Sequence, residues 1–325
     1  MGTKYSQLTL EDRTIIGTLV KGGLSVREIA KELCRARSTI SREIRRNFPK
    51  DLQSDHLAKT AHERAEKRKC TLHKRPRLKN NFIRSYVDEK IRLGWSPEQI
   101  AGRLQLEHPE LTTNHESIYR YLYSEARHLL AYLSRRRKRR QRRTFTQKGR
   151  GRRIPEATPI TLRPPEIKDR NEVGHWEADT AYSSSPTGAV LLVMTERKCR
   201  YLKVSKLKQR TATDARRALI RRFRVLPPNL RKTLTLDNGT ENAQHRSVHR
   251  SLGMQTYFCR PYASYEKGTV ENSIGLIRRI FPKGTSFDNV SFQQLRTLEQ
   301  LLNHRPRKCL NFLTPHEAFI NECCT

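Results

Sequence analysis

The stretch HWEADTAYS, residues 175–183, alternates side chain by side chain, with Trp176, Ala178 and Tyr182 on one side and Glu177, Asp179 and Ser183 on the other. That two-residue period is the mark of a β-strand. Working outward from it, AVLLVMTE (189–196) is a near-continuous apolar run and reads as a buried strand, and RYLKVSKL (200–207) as a third. TATDARRALIRRFRVL (211–226) has the spacing of an amphipathic helix. TLTLD (233–237) is a fourth strand, closed by the turn pair Asn238-Gly239, and MQTYFC (254–259) is a fifth. A helix follows over YEKGTVENSIGLIRR, residues 265–279. Three consecutive strands, then helix, strand, helix and strand, predict an α/β domain with a mixed sheet.

Acids are scarce in this region, and three sit at particular places. Asp179 lies inside the first strand, Asp237 ends the fourth, and Glu271 lies on the helix after the fifth. If strands one and four are neighbours, two of these carboxylates converge at one edge, and a packed helix brings the third. Carboxylates that close repel unless cations bridge them. Hard oxygen donors with room for water suit Mg²⁺ or Mn²⁺, and two such ions support chemistry at a phosphodiester. The helix carries a second acid, Glu266. Glu271 is preferred because it flanks the apolar stripe of Val270, Ile274 and Ile277, with Lys267 and Arg278 on nearly the same face. On the helix alone, an ordinary Lys267–Glu271 pair at four-residue spacing, worth a few tenths of a kcal/mol, reads equally well.

The N-terminal half has the longer period of helices. LSVREIAKELCRARSTISREIRRN (24–47) reads as two short helices and a tight turn, with Ser25 and Glu28 forming a capping box. Ile29 pairs with Leu33 and Ile40 with Ile44, the pattern of a helix-turn-helix. Its second helix, about 38–46, presents Thr39, Ser41, Arg42 and Arg45, side chains suited to base edges and phosphates. Cys34 stands where a glycine usually supplies the left-handed residue, at a cost of about 1 kcal/mol. GWSPEQIAGRLQLEHPELTTNHESIYRYLY (94–123) repeats the logic with a longer loop and presents Asn114, His115, Ser117 and Arg120. Between the two, HERAEKRKCTLHKRPRLK (62–79) is charged and broken by proline, and reads as a linker. In 135–143, eight of nine residues are basic, so Arg135, Arg136, Arg137 and Lys138 belong to a strap that cannot bury itself and suits a phosphate backbone. The expected boundaries are 1–50 and 81–133 for the helical readers, 51–80 and 134–165 for linkers, and 166–325 for the α/β domain.

Composition agrees on the partner. The 325 residues carry 66 Lys+Arg against 32 Asp+Glu, a net charge of +34, and the excess is present in both halves. A polyanion, foremost double-stranded DNA, is the expected ligand. No apolar run is long enough to span a bilayer. The seven cysteines are scattered without a CxxC pair, so a reduced, cytoplasmic protein is expected. His245, His249 and Cys259 make an incomplete zinc set and read as surface histidines with a strand cysteine.

The segments GHWEADT, LTLDNGTEN, PYASYEKGTVENSIGLIRRIFPKGTSF and LNHRPRKCLNFLTPHEAF, with REIA…STISREIRRN and GWSPEQIAGRL…ESIYRYLY, closely resemble the bacterial DDE transposases of the insertion sequence thirty family. The resemblance spans residues 8 to 319, and the 33 residues between Asp237 and Glu271 match the family spacing. It implies a ribonuclease-H-like, integrase-type core that performs two-metal strand cleavage and strand transfer, with Asp179, Asp237 and Glu271 on the catalytic carboxylates. It implies that Lys267 and Arg278 are the basic residues around the glutamate. It also implies that the N-terminal regions bind terminal inverted repeats or target DNA, and that synapsis requires at least a homodimer. The chain departs from the pattern with Ala178 for a glycine, Val270 for an asparagine and Asn242 for an aromatic residue. The alternative is a transposase-derived repressor with an inactive core.

Overall fold

The computed structural model describes residues 7–49, 56–73, 77–133, 154–182, 188–261 and 263–324. The chain divides into two compact units, residues 1–77 and 78–325. No helix among the described residues is long and apolar enough to cross a membrane.

The first unit has four helices, α1 (Leu10–Lys21), α2 (Val26–Glu32), α3 (Arg37–Asn47) and α4 (Leu57–His73). Capping boxes start two of them: Thr9 with Asp12 opens α1, and Ser25 with Glu28 opens α2. The turn between α2 and α3 passes through Cys34 in the left-handed region (φ 48°), as the sequence predicts. Ile16, Ile29, Ala30 and Ile40 form the core with Phe48, Leu57 and Ala61. Helix α4 corrects the reading of 62–79 as linker over much of its length. Its apolar contribution is small, Leu57 and Ala61, so periodicity does not reveal it. Its charges have partners instead. Arg64 donates to the carbonyls of Asn47 and Phe48 at the end of α3, and Arg68 donates to Asn47 Oδ1 at 2.6 Å. Cations at a helix C-terminus satisfy its free carbonyls and oppose its dipole.

The second unit opens with α5 (Asn81–Arg92), α6 (Pro97–Glu107) and α7 (His115–Ser124). They close around Val87, Ile91, Ile100, Leu104, Ile118 and Leu122, all fully buried. Then come β1 (His175–Ala181), β2 (Val190–Glu196), β3 (Leu202–Leu207), α8 (Ala212–Arg224), β4 (Thr233–Leu236), α9 (His245–Leu252), β5 (Gln255–Phe258), α10 (Gly268–Ile280), α11 (Phe292–Asn303) and α12 (Pro315–Cys323). The sheet order is β3-β2-β1-β4-β5. The first three strands pair antiparallel, whereas β1–β4 and β4–β5 pair parallel. This is the expected mixed sheet, with its five strands where the sequence places them.

Strand alternation sorts the side chains into two layers. Trp176, Ala178, Leu192 and Met194 face α8, α9 and α12, packing on Leu219, Phe223, Val248 and Phe319. Leu191, Val193 and Val204 face α10 and α11, packing on Val270, Ile277, Leu298 and Leu302. Each large apolar side chain so buried contributes about 1.5–3 kcal/mol. The α5–α7 bundle docks on the C-terminal segment of the core. Arg103 donates in a fork to Glu317 at 2.7 and 2.6 Å, and Gln99 bonds both Pro306 O and Arg305. A Cβ on Gly102 would meet the Phe312 ring at 2.4 Å, so only glycine admits this approach.

Candidate active site

Asp179 and Asp237 reach one place because β1 and β4 are parallel neighbours. His175 pairs with Thr233 and Glu177 with Thr235. Continuing that register by two places sets Asp179 level with Asp237. Asp179 shares strand parity with Glu177 and so faces α10.

A lysine ammonium lies between the two acids. Lys267 Nζ is 3.1 Å from Asp179 Oδ2 and 3.6 Å from Asp237 Oδ2, and its side chain is only 4% exposed. Burial raises the Asp179 carboxyl above the ordinary aspartate range, opposed by Lys267 and reinforced by Asp237. Burial would lower the Lys267 ammonium, but Asp237 and Asp179 together raise it. Asn242 steadies the second acid, its side-chain amide donating to Asp237 Oδ1 at 2.8 Å and to Asp237 O at 3.1 Å. Here the departure from the family's aromatic residue acquires a physical role. The other two departures are packed into the core, Ala178 on one face of the sheet and Val270 on the other.

Helix α10 is anchored to the sheet at its start. Glu177, 1% exposed, accepts from the backbone N–H groups of Thr269 (2.9 Å) and Val270 (3.0 Å), from Thr269 Oγ1 (3.1 Å) and from Arg197 Nε (3.0 Å). A carboxylate at a helix N-terminus satisfies free donors and meets the positive end of the dipole. Glu241 is a further buried carboxylate nearby. It accepts from Thr180 Oγ1 at 3.1 Å and pairs with Arg210 at 2.9 Å. Neither glutamate is picked out by the sequence reading, since one is a strand residue and the other a turn residue among many.

Glu271 lies on the first turn of α10 and is exposed. Among the described residues it makes no ion pair, and no group of three or more His, Cys, Asp or Glu side chains is gathered to hold a metal. The structure therefore brings Asp179 and Asp237 together and leaves Glu271 apart from them. The Lys267–Glu271 pair does not form, because Lys267 precedes the helix and turns inward to two half-buried acids. That same burial takes Lys267 off the surface where a DNA contact is expected. Arg278 is likewise drawn in: it donates to Tyr182 O and its guanidinium lies 5.3 Å from the Phe287 ring centre. Glu266 lies in the turn before α10 and is tied to Arg260 through the backbone N–H (2.8 Å) and Nε (2.7 Å), so of the two acids it is Glu271 that has no ion pair among the described residues.

The reading helices are mixed. On α3, Ser41, Arg42 and Arg45 are exposed and Thr39 is half-buried. On α7, His115 is exposed, but Asn114 is the cap, accepting from the Ser117 N–H at 2.7 Å, and Arg120 pairs with Glu116 at 2.9 Å. Arg135, Arg136, Arg137 and Lys138 lie outside the described residues. His245 is buried, not on the surface, and bonds Thr256 and Pro155 O, while His249 bonds Met254 O.

Comparison with known proteins agrees with both halves of this architecture. Residues 4–47 match a helix-turn-helix domain and residues 169–264 an integrase core domain. The second match contains Asp179 and Asp237 and stops short of Glu271. Over the whole chain, the protein is similar to the transposase InsI for insertion sequence element IS30A of Escherichia coli. They are 37% identical, covering 96% of this chain and 83% of that one. It is 35% identical to the transposase for IS1086 of Cupriavidus metallidurans, covering 96% and 94%. It is 34% identical to the transposase for IS4351 of Bacteroides fragilis, covering 96% and 95%. With a helix-turn-helix unit, an integrase core on a mixed five-stranded sheet, and such likeness along nearly all its length, the chain belongs to the IS30 family of transposases.

Proposed function

We propose that this protein is a transposase that binds the terminal inverted repeats of an insertion sequence and cuts and joins DNA strands at them, with Asp179, Asp237 and Glu271 at the reaction centre. The observation that carries the reading is the placement of Asp179 and Asp237 on adjacent parallel strands around one buried positive charge, at the foot of the helix that bears Glu271.

The donor chemistry fits a divalent ion. Two hard carboxylates face each other across an ammonium, so their geometry already serves a shared cation. Asp179 and Asp237 would hold Mg²⁺ or Mn²⁺ ions, with Glu271 completing the set. When bound, a pair of such ions supplies activation of water or a 3′ hydroxyl and stabilisation of the leaving oxygen at a phosphodiester. The chain's own residues prepare that place. Lys267 opposes the burial penalty on the Asp179 carboxyl and offsets the repulsion between the two aspartates. Asn242 fixes the rotamer of Asp237. Glu177 holds the start of α10 against β1 and so positions the turn that carries Glu271. Ser41, Arg42 and Arg45 on α3 supply the donors for base edges and phosphates in a major groove. Bringing two element ends together requires at least two copies on the DNA.

The test is Glu271→Gln on a plasmid carrying the element ends, with Mg²⁺ present. Strand cleavage should disappear while end binding persists. Cleavage at the unaltered rate would overturn the assignment.

A further inference from the structure

The outer surface of α8 meets α9 in a groove of about 560 Å³ lined by Arg216, Arg217, Arg221, Arg224 and Arg250, with Ser247 and Ser251 beside them. Among the described residues, none of these five arginines has an ion pair or hydrogen bond. This contrasts with the other described arginine of the helix's second half, Arg222, which pairs with Glu299. The only acid on α8 is Asp214, in its first turn.

Ordinary helix electrostatics do not account for the arrangement. Cations in a last turn meet the negative end of the dipole, which explains Arg221 and Arg224. It does not explain Arg216 and Arg217 in the middle of the helix, or Arg250 reaching the same groove from α9. Arg217 and Arg221 are four apart, a like-charge spacing that costs an isolated helix a few tenths of a kcal/mol. The arrangement gathers positive charge with no internal counter-charge, beside two hydroxyl groups able to bond phosphate oxygens. Ile220 and the 76% exposed Val225 give it an apolar floor.

We propose that this groove is a second DNA-binding face of the core, which takes the phosphate backbone of duplex DNA. Its place in the fold makes it separate from the reaction centre. Helices α8 and α9 cover the face of the sheet formed by Trp176 and Ala178, while Asp179 faces α10 on the other side. Duplex held here lies on the far side of the sheet from the carboxylates, so the groove serves to hold DNA and not to cut it. The proposal rests on the reading of this chain as a DNA-handling enzyme and adds a surface that neither the helix-turn-helix unit nor α10 supplies. Guanidiniums suit phosphate oxygens through paired donors, and the row reads no base edge, so binding is independent of sequence.

The experiment uses the full chain and a duplex lacking the element ends, with affinity measured across a range of salt concentrations. Each neutralised phosphate contributes a slope of about −0.9 to log K against log salt. The triple variant R217Q/R221Q/R250Q should lower the magnitude of that slope by about 2 to 3. The charge-retaining variant R217K/R221K/R250K should restore it. All three positions are exposed, so an unchanged melting temperature is expected and confirms the fold. An unchanged slope in the neutral variant overturns the proposal. So does a loss confined to single-stranded RNA, which would make the ligand a different nucleic acid. Glu271→Gln serves as the separating control: it should leave the slope intact. Cleavage surviving in it would count against the catalytic reading alone.

Discussion

The Lys267 ammonium stands 3.1 Å from Asp179, in a site where burial raises the aspartate carboxyl and works against the ammonium, which the two aspartates raise in return. The lysine takes the place of a counter-ion, and removing it exposes what the two aspartates demand. Lys267→Met should lower folding stability by about 1–2 kcal/mol at neutral pH, because two half-buried carboxylates lose the charge between them. Added Mn²⁺ should raise the melting temperature of the variant more than that of the parent. Equal shifts in the two proteins would show that the aspartates do not share a cation.

Asn242 touches both the carbonyl and the carboxylate of Asp237. Asn242→Leu keeps the volume and removes the donor. Cleavage rate should fall by about tenfold, the usual cost of losing an outer hydrogen bond to a metal-binding carboxylate. The variant's Mn²⁺ dependence should shift to higher concentration, while duplex affinity at the ends stays the same. A purely structural role would lower the melting temperature without moving the Mn²⁺ dependence.

The Arg103–Glu317 fork makes docking of the α5–α7 bundle sensitive to acid. Hydrogen bonds from Arg103 hold the Glu317 carboxyl at about 2, against an ordinary value of 4.5. A depressed carboxyl contributes stability that is complete above its unfolded value, and it is lost as pH falls from about 4.5 through about 2. Glu317 is 37% exposed on its side chain, so the contribution is modest, about 1 kcal/mol. Glu317→Gln should flatten the acid limb of a stability-against-pH curve and lower the plateau near neutrality by that amount. An acid limb identical to the parent's would contradict the assignment.

On α3 the exposed Arg42 and Arg45 are offered to phosphates and base edges. Arg42→Ala and Arg45→Ala should each weaken end binding by about 1–3 kcal/mol if the side chain reads a base. A contact with phosphate alone should instead reduce the salt slope by about 1, with the same loss on any sequence. No effect of either substitution would remove α3 from the recognition surface.

Much of the fold was legible in residue order, because strands with one face on each layer declare themselves by apolar runs and alternation. That TLTLD and HWEADTAYS converge rests in the sequence on a condition, that their strands are neighbours, and the parallel pairing of β1 with β4 meets it. What the sequence concealed had two physical causes. Helix α4 is held by bonds from Arg64 to the backbone carbonyls that end α3 and from Arg68 to the Asn47 side-chain amide, charges that composition reads as linker. The docking of α6 on the C-terminal segment depends on Gly102, Arg103 and Gln99 meeting residues some two hundred places away, a contact that no local period records. At the site, Asp179 was visible as an acid inside a strand and Asp237 as an acid at a strand end. The inward turn of Lys267 was not, because spacing alone made Glu271 as good a partner. Glu177 was hidden because its role is set by the helix packed against its strand, whereas Asn242 shows only as a departure in the sequence, its bond to Asp237 depending on the path of the turn between them.

Whether Asp179, Asp237 and Glu271 act together on divalent ions is decided by anomalous diffraction from crystals grown with MnCl₂ and an element-end duplex. Manganese peaks should touch Asp179 and Asp237, with Lys267 displaced from between them and Glu271 turned to the same ions. Manganese absent from that place, with Lys267 still bridging the two aspartates beside bound DNA, would contradict that joint role.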